Sequence, residues 1–414
     1  MAAAPPPEAE LEKKLEQVTL GSGKEKAPEG VANSSIAASL REQASAKPLK
    51  TPLVDPIESA IPNPPPTLTA DQQAKYESLL ETAKAWKEVP STTKGGPVTE
   101  DEIMWLSREC LLRYLRATKW NTNEAAKRLL GTLTWRREYG VAELTADHIS
   151  PENETGKQLI LGFDIAGRPC QYLNPGRQNT EVSPRQVQHL VFMVERVINL
   201  MIPGQETLAL LINFKSSKSR TNTAPGIGQG REVLNILQTH YPERLGRALI
   251  INVPWVVWGF FKLITPFIDP LTREKLKFNE DMRQLVPPQQ LWKEFQGDLE
   301  FEYDHEAYWP ALMKLCEEKH SEQRERWVKA GKHYGESEVY MKGGDASSVG
   351  PASTEPINAE QGTEDALPKE VVQEKGKENV PLKESVPGKE SEAVPAKEQI
   401  PVKEYLSEST EAKA

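Results

Sequence analysis

YPERLGRALIINVPWVVWGFFKLITPFIDPLTREKL, residues 241–276, decides the architecture. It holds ALIINV (248–253), a stretch of strand length rich in β-branched residues and apolar but for Asn252, the pattern of a strand buried on both faces. Pro254 breaks that strand off. From 255 to 265 the residues plot as a helix in which Trp255, Val256, Val257, Trp258, Phe260, Phe261, Leu263 and Ile264 go all the way round, interrupted by Lys262 and Thr265. Thr265-Pro266 ends it, and Thr272 to Leu276 reads as a short helix before a last strand near Lys277-Phe278. Strand, helix and strand in succession predict a parallel pair with a crossover.

The stretch 251–270 carries two of nine Trp and three of nine Phe in a chain that is 38% hydrophobic and 7% aromatic. A helix apolar on every side is either buried all round or faces something other than water. Two readings follow: a central core helix, or a lid with one face on an apolar cavity and the other against a bilayer. Pro254, Pro266 and Gly259 suit a segment that swings as a unit. Trp255, Trp258, Phe260, Phe261 and Phe267 are then the membrane-gate candidates.

Outward from this stretch, QLILGF (158–163) and PCQYL (169–173) flank the turn Asp164 to Arg168, Ser183-Pro184 opens a helix, and TLALLINF (207–214) is a second strand of the buried type. Helices dominate before 150: Thr69–Gln72 and Thr99–Glu102 form capping boxes, Ser107 caps RECLLRYLRA, and Asn121 or Thr122 caps the next helix. The expected organisation is a Pro-rich tail (1–68), a helical module (69–150), an α/β domain (151–305), a C-terminal helix (306–340) and a tail (341–414) repeating PLKE, PGKE, PAKE and PVKE. No aromatic residue precedes Tyr76, and Tyr405 alone follows Tyr340, so neither end can build a core.

Of the formal charge of −9, counting Lys and Arg against Asp and Glu assigns −1 to residues 71–340 and the remainder to the two ends. No basic excess argues for nucleic acid. Three scattered cysteines give no disulfide or metal spacing. The N-terminus lacks a basic-then-apolar leader, and the apolar run 253–264 falls far short of the ~20 residues that span a bilayer. A cytoplasmic protein is expected. Neither a nucleophile motif nor a metal motif occurs, and GIGQGR (226–231) lacks the third glycine of a dinucleotide loop, so no enzyme is expected.

The block 241–276 resembles the signature region of the CRAL-TRIO family, the fungal phosphatidylinositol transfer proteins in particular. LLRYLRATKWNTNEAAKRLLGTLTWRREYG (111–140) and D-x-x-G-R-P-x-x-Y at Asp164 to Tyr172 resemble it too. The resemblance runs in order from about 100 to 305. It implies an α/β fold: a helical N-terminal module packed on a lipid-binding domain with a mostly parallel five-stranded sheet and a mobile gate helix. It also implies a non-enzymatic carrier that moves phosphatidylinositol between membranes, with the lipid as its ligand and no cofactor or metal. Headgroup contacts then fall on Lys119, Glu243, Thr272 and Lys275. A buried phosphate needs cations and hydroxyl donors, and inositol hydroxyls need a carboxylate acceptor. Without the resemblance, Glu243 and Lys275 read equally well as a structural ion pair.

Two departures matter. Thr118 stands where the family has Arg, and the hydroxyl positions that hold phosphatidylcholine fall on Leu208 and Leu210, which with Ile212 are assigned to an acyl or second-ligand pocket. The chain thus resembles the branch associated with fungal drug resistance, which handles phosphatidylcholine poorly; a sterol or another apolar ligand suits the leucines. The expected partners are phosphatidylinositol and a membrane surface met reversibly by a monomer. The alternative is a lipid sensor that presents phosphatidylinositol to a lipid kinase.

Overall fold

The structure, a computed structural model, describes residues 47–215, 227–255, 258–259 and 273–348. The helical module begins with α1 (Ala70–Lys84), where Thr69 and Gln72 close a capping box. A two-strand hairpin, β1 (Glu88–Val89) and β2 (Gly96–Pro97), leads to α2 (Glu100–Trp105), capped in the same way by Thr99 and Glu102. In α3 (Arg108–Ala117) the Ser107 hydroxyl accepts from the Cys110 N–H, and in α4 (Thr122–Tyr139) the cap is Asn121. Each cap satisfies an amide that the helix start leaves without a partner, worth about 1 kcal/mol. Leu79, Ala83, Leu111, Leu115, Leu129 and Leu133 from three of these helices form the module's own core.

After α5 (Ala146–Asn153) the period switches to strands. β3 (Gln158–Phe163) pairs antiparallel with β4 (Pro169–Leu173); β5 (Leu208–Asn213), β6 (Leu245–Ile251) and β7 (Leu276–Phe278) follow in parallel, in the spatial order β3-β4-β5-β6-β7. The D-x-x-G-R-P motif builds the β3–β4 turn. Asp164 Oδ1 accepts from the amides of Ala166 (2.8 Å) and Arg168 (3.0 Å), while its Oδ2 meets Arg168 (3.1 Å) and Arg247 (3.2 Å). A fully buried carboxylate thereby gains two cations, without which its burial would cost several kcal/mol. Gly167, at φ 68°, takes a left-handed conformation, and a Cβ there would lie 3.0 Å from the Ala60 carbonyl.

One sheet face packs Leu159, Tyr172, Leu211 and Leu249 against Trp292, Phe295 and Tyr308, with Tyr172 and Phe295 edge to face at 4.7 Å. β3 is an edge strand. Its exposed ladder is closed by the Tyr308 hydroxyl, which accepts from the Ile160 N–H (2.7 Å) and donates to the Ile160 carbonyl (2.8 Å). Over the other face lies α6 (Pro184–Asn199), whose Val187, Val191 and Val194 meet Ile236 of α7 (Ile227–His240). The long α8 (His305–Lys329) packs on the same core through Leu312 and Cys316.

Three features differ from the sequence reading. Residues 47–68 are not part of a free tail. They run as a strap: Leu49 pairs with Glu300 and Glu302 through the backbone, Lys50 meets Asp304 at 2.9 Å, and the Asp55 carbonyl accepts from Gln290. Spacing of prolines hid this, because the anchors are backbone groups that composition does not report. The described C-terminal structure extends past 340 through α9 (Glu338–Met341) to Ser348, which bonds Glu336 and Gly335. Finally, β5 is not covered alike on both faces: Ala209, Leu211 and Asn213 are buried, whereas Leu210 and Ile212 are half-buried.

Candidate functional site

Parallel strands place the residues that precede them at one edge of the sheet. Glu206 and Thr207 precede β5 and Glu243 and Arg244 precede β6 at this edge, whereas Lys275 precedes the shorter β7, which starts three residues further along β6, its carbonyl accepting from the Ala248 N–H at 2.8 Å. The helical module closes on this same edge. Arg113 and Arg116 of α3 each meet Glu206 at 2.9 Å, and Arg113 also meets Glu338 at 2.5 Å. Tyr114 donates to the His240 carbonyl (3.2 Å), Arg128 donates to the carbonyls of Gln238 and Thr239, and Trp135 stacks on His240 with ring centres 4.0 Å apart. Tyr241 donates to Glu195 at 2.7 Å, and Glu195 pairs with Arg136 at 2.7 Å. The turn carrying Glu243 is therefore held from below by the module that carries Lys119.

Lys119 and Glu243 sit in left-handed backbone, at φ 52° and 60°, and Trp120 beside Lys119 is at 63°. Non-glycine residues there carry a conformational cost and cluster at ligand sites. Lys119 is exposed, while Glu243 and Lys275 are half-buried. Among the described residues none of these three side chains makes an ion pair or a hydrogen bond, so the structural Glu243–Lys275 pair that the bare sequence allowed is not formed. Thr118 does not supply a free hydroxyl: it donates to the Tyr114 carbonyl at 2.9 Å, within reach also of Leu115 and Asn121. Thr272 lies outside the described residues.

From this edge the floor continues as apolar surface. Leu208, Leu210 and Ile212 alternate onto one face of β5, and Leu210 and Ile212 lie beside Ala248 and Ile250 of β6. The same face carries Gln171 beside Leu210, and its amide donates to Gln158, which meets His189 Nδ1 at 3.3 Å. Burial pushes the His189 imidazole down to about 3. This polar row was not singled out from sequence, since two glutamines in a strand carry no spacing signal. Of the gate candidates, Trp255 is 84% exposed, and Trp258, 37% exposed, packs on Phe278 with ring centres 4.7 Å apart. Phe260, Phe261 and Phe267 lie outside the described residues. Among the described residues no helix is long and apolar enough to cross a membrane, and no group of three or more His, Cys, Asp or Glu side chains is placed to hold a metal ion.

Charged groups at one sheet edge, an apolar floor beyond them and tryptophans in the solvent suit a protein that holds an amphiphile. The comparisons narrow this class. The CRAL/TRIO domain family matches residues 153–297, and the CRAL/TRIO N-terminal domain matches 75–131. A CRAL-TRIO domain-containing protein of Schizosaccharomyces pombe is 57% identical over 281 residues, 67% of this chain and 28% of that protein, so the chain spans under a third of that relative. Phosphatidylinositol transfer protein PDR17 of Saccharomyces cerevisiae is 42% identical over 312 residues, 70% of this chain and 86% of that protein. The crystal structure of Sfh5 aligns with a TM-score of 0.41 and 15% identity over 62% of this chain and 100% of that one. The chain belongs to the CRAL/TRIO family.

Proposed function

We propose that this protein binds single phosphatidylinositol molecules and exchanges them between membranes without chemical conversion. The observation that carries the reading is that the side chains of Lys119, Glu243 and Lys275 are uncommitted among the described residues, two of the three on half-buried ground and two in left-handed backbone. Two ammonium groups suit a phosphate, and a carboxylate suits inositol hydroxyls. The relative named as a phosphatidylinositol transfer protein, aligned over most of its length, supports the same ligand. Exposing a diacyl lipid to water costs about 0.8 kcal/mol per methylene, so ~30 methylenes amount to roughly 20–25 kcal/mol. A carrier must replace the bilayer with apolar wall, and the half-buried Leu210 and Ile212 supply part of one. Trp255 and Trp258 would dock the protein reversibly on the membrane while lipid passes, from a cytoplasmic pool of monomers. The leucines disfavour phosphatidylcholine and leave room for an apolar second ligand such as a sterol; no cofactor is required.

The test is transfer of labelled phosphatidylinositol between vesicles by Glu243→Ala and Lys275→Ala, with mass spectrometry of the lipid carried. Losing one charge-assisted contact costs about 1.5–3 kcal/mol, a drop of about 10- to 100-fold in affinity. Both variants transferring at the wild-type rate would sink the assignment.

A further inference from the structure

A cavity of about 680 Å³ lies under the strap, and none of Lys119, Leu210, Glu243 and Lys275 lines it. Cavities of roughly 300–1,000 Å³ hold compact small molecules. One wall is α3, where Arg108, Leu112 and Arg116 recur every four residues and so stand in one row on the helix. A second wall is α9 and the residue after it, with Val339 and Lys342 three positions apart. Trp120 and Leu68 add apolar surface, and the exposed Pro65, Pro66 and Thr67 roof the cavity on the solvent side. The strap is anchored on either side of this roof, by the buried Ala60 and by Leu68, which packs into the core of the helical module. Prolines at 62, 64, 65 and 66 fix φ at four of five positions, so the roof keeps its shape without a ligand.

The charges around it do not balance. Arg113 and Arg244 reach the lining carboxylates from behind, so five cations (Arg108, Arg113, Arg116, Arg244 and Lys342) meet three carboxylates (Glu109, Glu206 and Glu338). The buried Arg113 already holds Glu206 at 2.9 Å and Glu338 at 2.5 Å, and Arg108 has Glu109 at 3.3 Å. Arg116 is left to share Glu206, and Arg244 stands 3.8 Å from Glu338. Lys342 donates to the carbonyls of Ile198 (2.7 Å) and Met201 (3.3 Å), and among the described residues it pairs with no carboxylate. Burial lowers its amine to about 7. Glu336 lies outside the lining, and its carboxylate accepts from Ser347 (2.8 Å) and the Ser348 amide (3.0 Å) instead. Charge taken out of water without a partner is costly, so an oxyanion entering the cavity would offset an excess of two cations. We propose that this cavity is a ligand site separate from the lipid's, taking a small soluble organic anion: a compact apolar body that carries one phosphate or carboxylate. The oxyanion meets Arg116 and Lys342, and the apolar body lies against Leu112, Trp120 and Val339. The site does not rest on the lipid reading.

Calorimetric titration of the full-length protein with phenyl phosphate and with phenylacetate tests this, with inorganic phosphate and phenol as the probes that each lack one half of the ligand. The expected result is saturable binding of at least one of the two aromatic anions, about tenfold or more tighter than that of inorganic phosphate or phenol. Lys342→Met should weaken it about tenfold or more. Arg116→Gln, at a partly exposed position whose loss leaves Glu206 with Arg113, should weaken it severalfold and keeps the test valid if Lys342→Met is unstable. Lys119→Ala and Lys275→Ala should leave it unchanged. Absence of saturable binding of both aromatic anions overturns the proposal, as does inorganic phosphate binding equally well. So does binding that survives both cavity variants, or that phosphatidylinositol vesicles displace, since the anion would then occupy the lipid's site.

Discussion

Glu338→Ala tests whether the helical module and the sheet edge are held together by charge. Glu338 accepts from Arg113 at 2.5 and 3.2 Å and from the Ser107 hydroxyl at 2.7 Å, and Arg244 stands 3.8 Å away. The Arg113 side chain is 4% exposed. Arg113 and Arg244 hold the Glu338 carboxyl well below the usual carboxylate range. Removing it leaves Arg113 with Glu206 alone and Arg244 without an ion pair among the described residues, in ground where removing one partner costs about 3–5 kcal/mol. In urea the unfolding midpoint should fall with little change of slope. Phosphatidylinositol transfer should fall as well, because α3 carries both Arg113 and the turn at Lys119. Replacing the pair together, as Arg113→Met with Glu338→Leu, should recover part of the lost stability, since the buried Arg113 charge goes with its partner and Glu206 keeps Arg116, while Arg244 alone stays uncompensated. A loss below about 1 kcal/mol for Glu338→Ala, or a double variant as unstable as the single, would refute the reasoning.

Three further outcomes follow from the geometry. Leu208→Ser with Leu210→Thr should raise phosphatidylcholine transfer, measured with labelled vesicles, and a wild-type protein that already carries that lipid as readily as phosphatidylinositol would end the idea. Trp255→Asp should slow transfer about tenfold or more, since inserting one large apolar side chain gains about 1.5–3 kcal/mol, while leaving a resident lipid and the melting midpoint unchanged; no change of Trp fluorescence with liposomes would count against it. The His189 and His240 imidazoles are pushed down to about 3 and about 4 by burial, so below the ordinary value near 6.5 the unfolded chain takes up protons that the folded one refuses. Stability should therefore be full above pH 6.5 and decline by up to about 1.4 kcal/mol per unit and per fully buried histidine as the pH falls towards 4, less for the half-buried His240. Glu109, whose carboxyl burial pushes up, acts in the opposite sense, so His189→Gln must flatten the decline if the assignment is right.

Periodicity in the sequence located the sheet well. β3 and β4 coincide with QLILGF and PCQYL because short, mostly apolar runs on either side of a turn leave few alternatives. β6 starts at Leu245, ahead of the apolar run, because Arg247 is charged yet paired with Asp164, a contact separated by more than eighty positions. Gly246 accommodates that contact: a Cβ there would lie 2.3 Å from the Arg168 side chain. Local pattern cannot report a buried ion pair that tertiary structure creates, and the same reason hid the strap, whose anchors are backbone hydrogen bonds to residues near 300.

The proposed headgroup site was legible only as residue types. Nothing in ATKWN or YPERL marks Lys119 and Glu243 as left-handed, since neither lysine nor glutamate favours that conformation. What fixes them is the surrounding structure: a stacked Trp135 and His240 under one turn, and Thr118 closing the other with its hydroxyl on backbone carbonyls. That last bond bears on chemistry. An arginine at position 118 would bring a charge; the threonine brings none, and its hydroxyl is already committed to the end of α3. In the proposed site a phosphate would be left to the two lysines, which are point charges without the fork geometry of a guanidinium. Weaker orientation of the phosphate follows, with the carboxylate of Glu243 carrying more of the discrimination among headgroups. Transfer should then depend more steeply on Glu243 than on either lysine alone.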